Sequence, residues 1–131
     1  MINCSELSEI IQRYDKIQST DCFKKVLSHF VYYGLIHADG TLPAKAKVSL
    51  EEVFEACQGE FRILELLPGI MVNAPEILDF APSDVPEDLA DLLARLEEGR
   101  ELLPFRGIDV RGYQRWIINK RKFELVKQRS V

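Results

Sequence analysis

Cysteine is scarce in this chain: Cys4, Cys22 and Cys57 are the whole set, odd in number and without a C-x-x-C pair. That argues against both a disulfide framework and a zinc site. Histidine is scarcer still. His29 and His37, taken with the cysteines and Asp39, follow no metal-ligand spacing. No metal and no cofactor is expected. The sequence also lacks a P-loop, a G-x-G-x-x-G turn and a G-x-S-x-G elbow. Its adjacent carboxylates, Glu51–Glu52 and Glu97–Glu98, point to different sides of a helix and make poor acid–base pairs. The expectation is a protein that is not an enzyme. No apolar run reaches the ~20 residues of a membrane span. Met1–Glu6 has neither the basic region nor the apolar region of a secretory signal. A cytoplasmic protein with reduced thiols, making no membrane contact, is the expected setting.

What is present is a core-forming chain. It has 131 residues, 47% of them hydrophobic, which suits one domain with a real interior and argues against disorder. Glu60–Val72, EFRILELLPGIMV, is its densest apolar stretch. Phe61, Ile63, Leu64, Leu66, Leu67, Ile70, Met71 and Val72 cover every side of a helix, and a helix apolar all round belongs in a core. Pro68 lacks an N–H and its ring crowds the carbonyl of Leu64, so a helix over 60–67, a kink or break, and a second short helix to about Asn73 are expected. Arg62 and Glu65 are spaced to pair at the rim.

The fold class expected is mainly α: one domain over residues 1–131, with about six helices around the kinked 60–73 element. Ser5 is placed to cap a first helix with Leu7, Ile10, Ile11, Tyr14 and Ile17 on one face. Ser19, Thr20 or Asp21 caps a second, and Gly34-Leu35 ends it in a Schellman pattern. Residues 36–48 read as a loop with a turn at Asp39-Gly40. Ser49-Leu-Glu-Glu52 is a capping box, with Val48 and Val53 as staple. Pro75 and Pro86 stand at helix starts. Pro86 opens an acidic helix whose inner face is Leu89, Leu92, Leu93 and Leu96. Residues 102–107 are a connector. Asp109 caps a last helix carrying Tyr113, Trp116, Ile117 and Phe123, with a fraying basic tail behind it.

The net charge of −4 conceals a polarity. Residues 106–131 carry eight cations (Arg106, Arg111, Arg115, Lys120, Arg121, Lys122, Lys127, Arg129) against Asp109 and Glu124, a balance of +6. The preceding stretch Glu76–Glu101 holds nine acids against Arg95 and Arg100, a balance of −7. Such polarity bears on partners. Residues 48–62 resemble the first helix and turn of a helix-turn-helix motif in spacing. The second helix, EFRILELL, offers only Arg62 to phosphates and base edges, so DNA reading there is disfavoured. The functional expectation is a small regulatory or protein-interaction module, bacterial and antitoxin-like in kind. It acts through the basic C-terminal segment, with Arg115, Lys120, Arg121, Lys122, Phe123, Lys127 and Arg129 as the partner-binding residues. A protein partner is favoured. The competing class is a nucleic-acid binder using the same segment. Homo-oligomerisation stays open, and the residues name no family.

Overall fold

A computed structural model describes residues 4–100, 104–108, 124–126, 128 and 129. The chain is an all-α protein. Five α-helices follow one another: α1 (Cys4–Gln18), α2 (Asp21–Tyr32), α3 (Leu50–Ala56), α4 (Phe61–Asn73) and α5 (Glu87–Glu97). Single 3-10 turns at Pro75–Ile77 and Pro82–Asp84 link α4 to α5. Residues 124–126 and 128–129 are helical as well. Among the described residues there is no strand, only isolated bridges between Ser49 and Asp79 and between Phe105 and Ile108.

Local chemistry sets the helix ends. Thr20 caps α2, its Oγ1 accepting the Phe23 N–H at 3.2 Å. At the other end Leu35 N–H donates to the Phe30 carbonyl and Gly34 N–H to that of Val31, both at 3.0 Å. Gly34 sits at φ +71, so the Schellman ending forms as its residues predict. The capping box is also formed: Ser49 Oγ accepts the Glu52 N–H, and Glu52 Oε1 accepts the Ser49 N–H, each at 3.2 Å. Lys25 from α2 pairs with the same Glu52, tying the box to its neighbour. That pairing and the Ser49 bonds hold the Glu52 carboxyl below its ordinary pKa.

α4 is the centre. Ile63, Leu64 and Leu66 to Met71 are buried, with Ile63, Leu67 and Ile70 fully enclosed. Phe23, Val26 and Phe30 of α2, Leu50 and Val53 of α3, and Leu89 and Leu92 of α5 complete the core. The expected division at Pro68 is corrected: Phe61–Asn73 is one continuous helix. Pro68 deprives the Leu64 carbonyl of its amide partner, but both flanks of the ring are sealed in apolar packing, and most helical stability in proteins comes from such packing. Asn73 Nδ2 donates back to the Gly69 carbonyl at 3.0 Å and helps close the end. Arg62 forks onto Glu60, with Nε at 2.9 Å from Oε1 and Nη2 at 3.0 Å from Oε2.

Two further expectations are corrected. Ser5 lies inside α1, which already includes Cys4, so it is not the cap. The apolar face of that helix, expected from its spacing, is there but exposed at Leu7, Ile10, Ile11 and Tyr14, and α1 holds no buried residue. Pro86 is the residue before α5 rather than its first helical position. The proposed last helix from Asp109 and its Tyr113, Trp116, Ile117 and Phe123 lie outside the described residues.

Candidate functional site

Two segments flank the basic stretch, and both are held to the helical body. The first is Phe105–Ile108. Phe105 N–H donates to the Ile108 carbonyl at 2.9 Å and Ile108 N–H to that of Phe105 at 3.0 Å, closing a two-residue turn. The turn residues Arg106 and Gly107 have φ +50 and +81. Positive φ at both central positions is the type I′ hairpin geometry, which favours Asn and Gly and strains an arginine. Arg106 is held there by what its side chain reaches. Its Nε and Nη2 grip Asp88 Oδ2 and Oδ1 at 2.9 and 3.3 Å, and its guanidinium lies 4.2 Å from the Phe54 ring centroid. This fork depresses the Asp88 carboxyl pKa and raises that of Arg106. The ion pair also joins the acidic α5 to the first cation of the basic segment.

The second flank is the C-terminal helical stretch. Val126 is 1% exposed and belongs to the core. Arg129 donates from Nη1 to the Tyr32 carbonyl, and its guanidinium sits 4.9 Å from the Tyr32 ring centroid. Tyr32 ends α2, so its carbonyl is one of the unpaired acceptors at the negative end of the helix dipole, and a cation there is favoured. Tyr33, Gly34, Leu125, Gln128 and Arg129 line a cleft of about 530 Å³ at this junction. The expected fraying tail is therefore corrected: buried Val126 and the α2 terminus tie the chain down beyond residue 123.

Of the predicted partner-binding residues, Arg129 is exposed and engaged with Tyr32. Arg115, Lys120, Arg121, Lys122, Phe123 and Lys127 lie outside the described residues. The structure adds residues that the sequence reading passed over: Arg106, with Asp88 and Phe54 as its seat, and Tyr32 as the seat of Arg129. The Arg106-Gly107 pair was legible only as a connector, because arginine is not a residue that signals a I′ turn.

The other chemical candidates are separated in space or absorbed by packing. His29 is 1% exposed. Its Nδ1 accepts the Ala46 N–H at 2.9 Å, which leaves Nε2 as the protonated nitrogen donating to the Ile77 carbonyl at 2.7 Å. Burial lowers its pKa despite that Ile77 bond, and Lys45 and Lys25 push the same way. His37 is solvent-exposed and 3.1 Å from Asp39. Burial, with Glu55 adding to it, lifts the Cys22 thiol to about 11. Burial also lifts the Cys57 thiol, although nearby Arg106 opposes it. Both thiols are thus poor nucleophiles at neutral pH. Among the described residues no group of three or more His, Cys, Asp or Glu is placed to hold a metal ion, and no helix is long and apolar enough to cross a membrane. α4, the second helix of the helix-turn-helix-like stretch, is enclosed from Ile63 to Met71 apart from half-buried Glu65 and has no face for a DNA groove.

The geometry defines a small helical domain in which anchored chain bounds a cationic segment on both sides. No protein-family model, curated protein or solved structure matches the chain.

Proposed function

We propose that the protein is a non-catalytic cytosolic regulatory module, antitoxin-like in kind, that captures an acidic protein partner with its basic C-terminal segment. The supporting observation is the anchoring of both flanks: Arg106 on Asp88 and Phe54, and Val126 with Arg129 on the core and the end of α2. Pinned flanks reduce the conformational entropy that binding must overcome. The residues offered to the partner are Arg115, Lys120, Arg121, Lys122, Phe123 and Lys127, with Arg129 supporting them from its seat on Tyr32.

The competing reading, nucleic-acid binding by the same segment, is separated by salt. Full-length protein is titrated with an acidic polypeptide and with single- and double-stranded nucleic acid across ionic strength. A protein-type site shows a mild salt dependence, and Phe123→Ala weakens it as much as any single lysine change. A nucleic-acid site shows log K falling with log salt at a slope of about −0.9 per phosphate neutralised on duplex. If a Lys120→Glu/Arg121→Glu/Lys122→Glu variant binds both probes as the parent does, the segment is not the binding surface.

A further inference from the structure

Among the described residues, most of the apolar face of α1 is left uncovered. Leu7, Ile10, Ile11 and Tyr14 are 51%, 48%, 50% and 39% exposed, on a helix that touches the body chiefly at its C-terminal end. There Ile17 packs on the core, and Gln18 Nε2 donates to the Gly59 carbonyl at 3.0 Å. The spacing 7, 10, 11, 14, 17 is a helix-period stripe, the pattern a helix uses to bury one side. Scattered exposed apolar residues need no explanation, but a contiguous stripe of them marks an interaction site.

We propose that α1 pairs antiparallel with α1 of a second copy of this chain. The charges along the helix favour that occupant. Its first half carries Glu6 and Glu9, and its second half carries Arg13 and Lys16 with Asp15. Two copies running in opposite directions set the acidic half of each beside the more basic half of the other. Glu6 and Arg13 are seven residues apart and so lie on one edge of the stripe. In a two-fold antiparallel pair that edge meets itself reversed, which brings Glu6 of one copy towards Arg13 of the other, twice over. A parallel pair would set the acidic half of each helix beside the acidic half of the other and leave Glu6 and Arg13 facing the opposite edge of the stripe. A helix of 15 residues is about 22 Å long. Two such helices bury less than the ~800 Å² per partner of a standard interface, so the dimer is weak. This inference is independent of the acidic-partner reading. It is tested on the purified chain alone, so failure of either leaves the other standing.

The experiment is sedimentation velocity on the full chain from about 10 µM to about 1 mM, a range suited to a weak dimer. The result expected is a monomer at the low end and a growing dimer fraction at the high end. Ile10→Asp with Ile11→Asp should abolish the dimer while leaving the thermal unfolding midpoint of the core in place, because neither side chain is in the core. Glu6→Arg alone and Arg13→Glu alone should each weaken association, and the double reversal should restore it. A chain that stays monomeric at the highest concentration overturns the proposal. So does a dimer indifferent to the Ile10/Ile11 change, or a double reversal that fails to rescue.

Discussion

His29 shows most sharply how one residue can be decided by its surroundings. An imidazole at this position on α2 has Phe30 as its neighbour and would be expected to be partly covered. It is enclosed, with one nitrogen committed as acceptor to Ala46 and the other as donor to Ile77. Protonation would place a proton on Nδ1, where an N–H already points. Burial accordingly depresses the folded-state pKa below the ordinary value of about 6.5. The unfolded chain therefore takes up the proton first. The stability that His29 contributes is complete above about pH 6.5 and is lost as pH falls toward the folded-state value. Below about pH 6.5 this group should cost the chain stability, by at most about 1.4 kcal/mol per pH unit, until the folded-state pKa is passed. Denaturant midpoints at pH 7.5, 6 and 5 should record the loss, and His29→Gln, though less stable throughout, should flatten the slope. An equally steep slope in the variant would place the proton elsewhere. Gly59 makes a similar point without titration. A Cβ there would lie 2.9 Å from the Phe23 ring and 3.0 Å from Ile17, so the close approach of the α3–α4 turn to α1 and α2 requires the glycine.

At the scale of elements, helix ends were the most legible feature and helix faces were less so. The Ser49–Glu52 box and the Gly34–Leu35 ending form because their hydrogen bonds join residues a few positions apart and need nothing from the rest of the chain. Ser49→Ala should cost about 1 kcal/mol through loss of the cap, read as a shift in the unfolding midpoint. Leu67→Ala, at a position with no exposed surface on the central helix, should cost about 2–5 kcal/mol. A loss under about 1 kcal/mol there would remove α4 from the centre of the fold. The faces required more than periodicity. α1 and α2 both carry helix-period stripes, yet among the described residues that of α2 is buried and that of α1 is exposed. The stripe at 7–17 records that a side is apolar and says nothing of which molecule covers it. The integrity of α4 across Pro68 was likewise beyond local rules, because enclosure of the residues on both sides of the ring outweighs the one hydrogen bond proline removes.

For the molecule as a whole, the stretch around Val126 and Arg129 is part of the fold. Among the described residues Val126 packs in a core otherwise built from residues 23–105, and Arg129 seats on the last turn of α2. Truncation after Asn119 should therefore destabilise the domain, against the expectation of a fraying tail. Val126→Ala, a smaller change, should cost about 2 kcal/mol by loss of buried apolar surface. Circular dichroism melts of the truncated and parent chains measure it. Coincident melts would show that the segment after Asn119 does not hold the core. Binding tests of the basic segment for this reason belong on full-length variants with reversed charges.

By itself, the order of residues determined the class of fold, the central position of 60–73, the caps of α2 and α3 and the opposition of an acidic to a basic segment. These are short-range or additive properties: hydrophobic periodicity, side-chain to backbone hydrogen bonds within one turn, and summed charge. Tertiary structure alone decided that Arg106 spends its charge on Asp88 eighteen positions away and that Arg129 returns to Tyr32 across ninety-seven. It likewise decided that His29 is sealed and that the apolar side of α1 is left open. Each of these depends on which surfaces meet after collapse, and a contact between residues far apart in the chain leaves no periodicity in either stretch that makes it.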